Sequence, residues 1–461
     1  MISRKLLVCN FTDNKRKINF YSWELRDIIN QFQTVTVIVM EGHLRPGTSS
    51  SLVDNLYCSV LLSASLLTNI LTASSPISPI YQNVWKVSQG LSTASLLTYF
   101  QDFTRLVWRG EYEGPRYLST PHLGLAALHL YFSPPDSRDK YYLMYWAVIG
   151  LRPLLLLLVQ RFPKSFSFGE AALVSQAILL CLAASVLGLL SLDKISTRAL
   201  AQELADRLKA VEEKFLAEEK LALLSGLLTF WAGLVSASLG VVWLYNQRGW
   251  RVSSSTRKIF HAAILLVFLS GLAWSPLLLL LASSSLLVVM LGLEAVRVGE
   301  LLPPLSRSLT LTLRRFTDEK DGGPLILTNI YLLAGMSLPL WLDPGPALSL
   351  PAPAQFSLYC GLLSVGVLDT VAAVVGTALG TTRWRQDSSR TLEGSLAGLL
   401  ATLATVFLLG RLGGVSVPST ANTLISAGLV MLVEAHSSQV DNLCLPLVML
   451  ISTNVCSIIG V

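Results

Sequence analysis

Three groups of polar residues interrupt an apolar C-terminal half, and their types suit the handling of phosphate and of hard cations. The first is Asp369, set among the small residues Gly366, Thr370, Ala372, Ala373, Gly376 and Gly380. A carboxylate inside a membrane segment is costly unless it is paired or lines a polar cavity, which makes it a functional candidate. The spacing of Gly376 and Gly380 admits two readings: close packing of helices, or close approach of a polyphosphate to the backbone. The second group is Arg390-Thr391-Leu392-Glu393-Gly394. Arg390 and Thr391 offer donors to phosphate, and a helix starting there adds unsatisfied backbone N–H groups and the positive end of its dipole. Glu393 either complements that dipole or joins the chemistry. The third group is the turn from Glu434 through His436, Gln439 and Asp441 to Asn442, with two carboxylates and two amides. Asp369, Glu434 and Asp441 together offer the several oxygens that a divalent cation wants.

Further polar clusters lie upstream. Arg257-Lys258-Ile259-Phe260-His261 reads as an interfacial anchor or as a phosphate contact. Glu294 and Arg297 stand three apart and can pair on one helix face. The acidic turn Phe316 to Gly323 is a solvated loop or a metal-binding one.

The elements that must position these residues follow from composition. Of 461 residues, 52% are apolar and 14% charged, where a soluble domain carries roughly 25% charged. Mean hydropathy is +0.57. Thirteen of the 64 charged residues fall between Asp193 and Lys220 alone. Soluble, disordered and coiled-coil classes are thereby excluded. Asn55–Trp85, Ala171–Leu192, Leu221–Gln247, Ile259–Leu293, Pro344–Leu368, Leu412–Val433 and Asn442–Val461 hold no Asp, Glu, Lys or Arg. A membrane helix needs about 20 mostly apolar residues. The chain therefore reads as all-α, a polytopic helical bundle of roughly 12–14 transmembrane helices.

Four regions are expected. Residues 1–50 form a polar arm, and 51–192 an N-terminal membrane region whose boundaries are weak around Tyr81–Pro121. Residues 193–220 form a charged amphipathic helix, with Leu200, Leu204, Leu208, Val211, Phe215 and Leu216 on one face. Residues 221–461 form the domain that carries the chemistry. Its spans are expected near 221–245, 259–274, 276–293, 325–342, 356–380, 394–410, 420–436 and 443–461.

That threading sorts the charges by side. Arg248, Arg251, Arg257, Lys258, Arg297, Arg307, Arg314, Arg315, Lys320, Arg383, Arg385 and Arg390 fall on one side, and only Arg411 on the other. The basic side is expected to be cytoplasmic. The net charge of +6 is then loop charge that sets topology, not a nucleic-acid footprint. The six cysteines form no CxxC pair and read as small buried hydrophobes. There is no GxxxxGK[ST] loop, no kinase HRD or DFG set, and no HExxH. Phosphoryl transfer, if this is its chemistry, runs on a different scaffold.

The run from Val365 through Asp369, Thr370, Ala372, Gly376 and Gly380 to Arg390-Thr391-Leu392-Glu393-Gly394 resembles the pattern of membrane CTP-utilising enzymes. These include dolichol kinases, phytol kinases and phosphatidate cytidylyltransferases. Arg257 to His261, the stretch Tyr331 to Trp341, and Glu434-Ala435 followed by Gln439 to Leu447 are similar to dolichol kinases in particular. The resemblance spans roughly Arg257–Val461. It departs from the pattern at Leu368, where Gly is usual, and at Ser389-Arg390, where two lysines are usual.

The resemblance implies transfer of the CTP γ-phosphoryl group to the terminal hydroxyl of dolichol or another polyisoprenoid alcohol, giving dolichyl phosphate for protein glycosylation. It implies an endoplasmic reticulum membrane enzyme whose site faces the cytosol and uses a divalent cation, Mg²⁺. Asp369, Asp441 and Glu393 are the catalytic candidates, the first two also metal ligands. Arg390, Thr391, Gly394, Gly376, Gly380, Glu434, Gln439, Asn442, Arg257, Lys258 and His261 are candidates for holding CTP. Two alternatives stay open: a cytidylyltransferase that makes a CDP-lipid, and a transporter, since buried carboxylates and glycine-broken helices also build transport sites.

Overall fold

The structure is a computed structural model. It describes residues 6–10, 17–21, 52–73, 81–95, 138–192, 218–248, 254–315, 322–343, 355–385, 388–437 and 440–461. The helix expected over 193–220 lies outside these residues up to 217, as do most of the acidic turn 316–323, Gln439 and most of the arm 1–50. Within the arm, strands β1 (Leu6–Asn10) and β2 (Lys17–Tyr21) pair antiparallel, with Leu6 opposite Tyr21 and Asn10 opposite Lys17. Apart from this hairpin and the connecting turns, the described residues are helical.

Against 12–14 spans expected for the whole chain, six described helices are long and apolar enough to cross a membrane. Three shorter apolar helices accompany them. The chain is a multi-pass helical membrane protein. Its residues fall into two compact units.

The first unit contains most of residues 1–187. It includes the start of α1 (Leu52–Thr72), α2 (81–95), α3 (Arg138–Arg161) and α4 (Phe168–Leu192). The start of α4 is fixed by a reciprocal cap. Ser167 N–H donates to Glu170 Oε2 at 3.2 Å, and Glu170 N–H donates to Ser167 Oγ at 3.2 Å. Within the unit, Gln176 Nε2 donates to Ser95 Oγ at 2.7 Å, joining α4 to α2 without a charge.

The second unit holds the elements of interest. These are α5 (Glu218–Arg248), α6 (Ser254–Trp274), α7 (Pro276–Val298), α8 (Pro303–Arg315), α9 (Thr328–Leu342), α10 (Phe356–Leu379), α11 (Leu392–Leu412), α12 (Thr420–His436) and α13 (Asp441–Ile458). The eight expected spans coincide with α5, α6, α7, α9, α10, α11, α12 and α13. Helix α8 is the difference: the sequence predicts loop there, and Pro303–Arg315 is helical. The break between α6 and α7 falls at Ser275, which caps α7 through Leu278 N–H at 3.4 Å, with Pro276 at the first helical position.

Helix α10 is central and mostly buried, with 72% of its apolar window covered by protein. Helices α9, α11 and α13 pack around it, and α6 joins them. Their close approach depends on glycines. A Cβ on Gly361 would stand 2.7 Å from the Gly335 and Met336 carbonyls, and one on Gly398 would stand 2.7 Å from the Leu368 carbonyl. Contact through backbone rather than side chains is how helices pack tightly where lipid supplies no hydrophobic drive.

Candidate functional site

Helix α10 is not regular. Phe356–Tyr359 is 3₁₀, Leu362–Asp369 is a π-helix, and Thr370–Leu379 is α. A π segment spends an extra residue per turn and re-aims the side chains that follow, and such segments gather at functional sites. Here it ends on Asp369, which is 8% exposed. Thr370 takes up the wide turn, its Oγ1 donating to the Val365 carbonyl five residues back at 3.1 Å.

The glycines beyond Asp369 seat α10 against α11. A Cβ on Gly376 would come 2.8 Å from Thr391 Oγ1, and one on Gly394 would come 2.5 Å from the Ala372 carbonyl. At Gly380 it would meet Thr391 and the Gly376 carbonyl. Of the two readings of these glycines, the geometry realises packing: the space each leaves is filled by the facing helix. The start of α11 is also largely self-satisfied. Thr391 caps it by accepting from Gly394 N–H at 3.3 Å, Ser395 N–H donates to the Thr391 carbonyl, and Leu392 N–H to the Thr382 carbonyl at 2.8 Å.

Between the two helices, residues 380–385 and 388–391 run as two facing arms. Arg383 and Thr391 make an antiparallel bridge, and Trp384 N–H donates to the Arg390 carbonyl at 3.2 Å. Glu393 locks the first arm. It accepts from Thr381 Oγ1 at 2.6 Å and from Thr382 N–H at 2.9 and 3.1 Å. Trp384 locks the second contact. Its Nε1 donates to Ser395 Oγ at 3.0 Å, and its ring stands edge-on to His436, with centroids 5.2 Å apart. These contacts hold Arg390 in place, next to the cap residue Thr391.

Arg390 is where the sequence-distant groups meet. Its Nη2 donates to both Asp441 oxygens, at 2.9 and 2.8 Å, and its Nε lies 3.2 Å from Glu434 Oε1. Its Nη1 donates to the Ser437 carbonyl. Glu434 is held in turn by Ser395 Oγ at 3.5 Å. Burial works against the guanidinium charge, but Asp441, then Glu434, and more weakly Asp369, outweigh it and raise the pKa of Arg390 above its ordinary value. The fork of donors matched to two carboxylates makes this a directional contact rather than a loose ion pair. One arginine here faces two carboxylates, Asp441 and Glu434.

The remaining candidates are spread around this point. Asn442 is buried in the first turn of α13, and its carbonyl lies where a Cβ on Gly335 of α9 would have to stand. His261 is 8% exposed on α6, and Arg257 and Lys258 are on the first turn of that helix. Glu294 and Arg297 do pair, at 2.6 and 2.8 Å, but they are buried, and Glu294 also accepts from Ile326 N–H at 2.6 Å. This pair ties the end of α7 to the approach to α9.

One expectation needs correction. Asp369, Glu434 and Asp441 do not converge into a cation cage: among the described residues no group of three or more His, Cys, Asp or Glu side chains can hold a metal ion. The physical reason is that both Asp441 oxygens and one Glu434 oxygen turn to Arg390. Glu393 faces the first arm of the loop, through Thr381 and Thr382. Conversely, sequence reasoning missed Thr381, Thr382, Trp384, Ser395 and Ser437. A lone Trp in a polar loop was the one signal available.

Comparison with curated proteins finds dolichol kinases. That of Mus musculus is 39% identical over 237 residues, covering 49% of this chain and 44% of the mouse protein. That of Homo sapiens is 38% identical over 239 residues, with the same coverages. That of Saccharomyces cerevisiae is 31% identical over 202 residues, 43% of this chain and 36% of the yeast protein. The chain thus spans less than half the length of the curated relatives it matches. No family model and no solved structure matches it.

Proposed function

We propose that this chain is a CTP-dependent lipid kinase that phosphorylates the terminal hydroxyl of dolichol, giving dolichyl phosphate for protein glycosylation. The observation that carries the proposal is the Arg390 node. Residues 51 positions apart, one from the run that resembles membrane CTP-utilising enzymes and one from the stretch that resembles dolichol kinases, are joined there by two hydrogen bonds of 2.8–2.9 Å. The similarity to dolichol kinases from animals and yeast supports the substrate class.

A polyisoprenoid alcohol stays in lipid while its hydroxyl reaches the headgroup level, and the nucleotide comes from water. A site at the helix ends, beneath the short loop 380–391, meets both demands. Arg390 is the phosphate ligand: its planar fork suits phosphate as well as carboxylate, so the nucleotide replaces Asp441 and Glu434 as its partner. Asp441, released from Arg390, orients the attacking hydroxyl for in-line transfer, and Asp369 lies behind them at the end of the π segment. Asn442, Glu434 and His261 line the approaches, and Gln439, Arg257 and Lys258 are proposed as further contacts to CTP. Glu393 and the glycines Gly376, Gly380 and Gly394 act indirectly, by fixing the loop and the helix crossing. The cluster is net negative and preforms no cage, so a divalent cation such as Mg²⁺ enters this proposal only as a companion of the incoming phosphates. The protein works in the endoplasmic reticulum membrane with this face to the cytosol, in line with the excess of basic residues on that side.

The test uses membranes containing the chain, dolichol, and CTP labelled at either the α or the γ position. Label passing from γ-labelled CTP into dolichyl phosphate supports the kinase. Label passing only from α-labelled CTP into a CDP-lipid would replace it with a cytidylyltransferase.

A further inference from the structure

The turn from α7 to α8 leaves an apolar and basic surface that the site does not use. We infer that α8 lies on the membrane surface, its exposed leucines in the lipid boundary and Arg307 and Arg314 against anionic phospholipid headgroups. The inference is independent of the kinase reading.

Its level in the membrane comes from the backbone. Helix α7 has 23 residues, which at about 1.5 Å per residue is enough to cross a hydrocarbon layer of about 30 Å. Its last turn therefore stands where hydrocarbon gives way to headgroups. The chain then reverses through Gly299 and Glu300, the latter at φ +50°, a left-handed conformation that a non-glycine residue adopts only when its surroundings demand it. The reversal is held by Leu301 N–H donating to the Val296 carbonyl at 3.2 Å and by Ser306 Oγ donating to the same carbonyl at 2.8 Å. The first turn of α8 is thus pinned beside the last turn of α7, at the boundary and not out in water.

What the reversal and α8 present there suits that boundary. Leu301, Leu302, Leu305 and Leu311 are exposed by 67, 54, 41 and 65%. Arg307 and Arg314 are exposed, lie two helical turns apart on one face, and have Leu311 between them. Residues 301–315 contain no acidic residue to oppose an anionic surface. A short helix of leucine and arginine at a span's end matches the chemistry of an interfacial helix, whose apolar side chains enter the headgroup boundary while basic ones meet anionic lipid. Arginine's long apolar stem lets it do both.

The experiment places a cysteine at Leu311 (Leu311→Cys) in the full chain, reconstituted in phosphatidylcholine alone or with about one third phosphatidylserine. The rate of reaction with a water-soluble maleimide is measured, over that of the unsubstituted chain. The proposal expects labelling about fivefold slower in the anionic membrane, and loss of that difference when Arg307→Gln and Arg314→Gln are added. Equal rates in both lipids would overturn it. So would protection that persists unchanged in detergent micelles, which would mean that a protein segment covers α8 instead.

Discussion

Arg390 and Glu393 are neighbours in the sequence with opposite duties in the structure. Arg390 gathers Asp441, Glu434 and the Ser437 carbonyl, whereas Glu393 faces back to Thr381 and Thr382. Glu393 should therefore be replaceable by an isostere that still accepts hydrogen bonds. Glu393→Gln is expected to keep dolichol phosphorylation within about tenfold, and Glu393→Ala to lose more, because only the second frees the loop. A general acid–base role would make Gln as damaging as Ala, at about 10²–10⁴-fold. Arg390→Lys keeps the charge but loses the fork, and should raise the KM for CTP by about tenfold or more, read from initial rates. Sequence alone marked Arg390, Glu434 and Asp441 as candidates because polar residues stand out in an apolar chain. It did not show that they bind one another, since a contact across 51 residues leaves no local trace. Nor did it show Glu393 to be a clamp, because its partners are ordinary threonines.

Helix ends and crossings explain which parts of the fold were legible. A 20-residue uncharged run announces its own span, so α5–α7 and α9–α13 were foreseen nearly to the residue. The π stretch Leu362–Asp369 was not, because its sequence is as apolar as any α-helix and only the packing around it selects the wider turn. Helix α8 was hidden by its arginines, which read as loop. At the crossings, Gly335 carries the sharpest constraint, since the Asn442 carbonyl occupies the place of its missing Cβ. Gly335→Ala should push the start of α13 away from α9, lower the thermal unfolding temperature in detergent by the equivalent of about 1–3 kcal/mol, and impair activity together with it. The buried pair of Glu294 and Arg297 works the same way between α7 and α9. Glu294→Ala leaves a buried guanidinium and should cost about 3–5 kcal/mol, and adding Arg297→Met should recover part of that loss.

Among the described residues, charged side chains gather at Arg390 and tie helices together elsewhere, as Glu294 and Arg297 do. The hydrogen bonds of Arg390 bring the approach to α11 together with the end of α12 and the start of α13. A tag inserted at Arg385 should be reached by a membrane-impermeant reagent from the cytosolic side of microsomes, and protection there would reverse the orientation. The first unit was legible only as membrane-embedded, since its polar contacts, such as Gln176 with Ser95, are single uncharged pairs without a recognisable pattern. The central claim is that the Arg390–Asp441 node carries phosphoryl transfer from CTP to dolichol. It is tested most directly by transfer rates from γ-labelled CTP for the purified chain, Arg390→Ala, Asp441→Ala and the double variant. Each single change is expected to reduce the rate by about 100-fold or more, with the double variant little worse than either, as for residues acting as a unit. Near-normal transfer by either single variant, with the protein folded and membrane-inserted, would contradict the account.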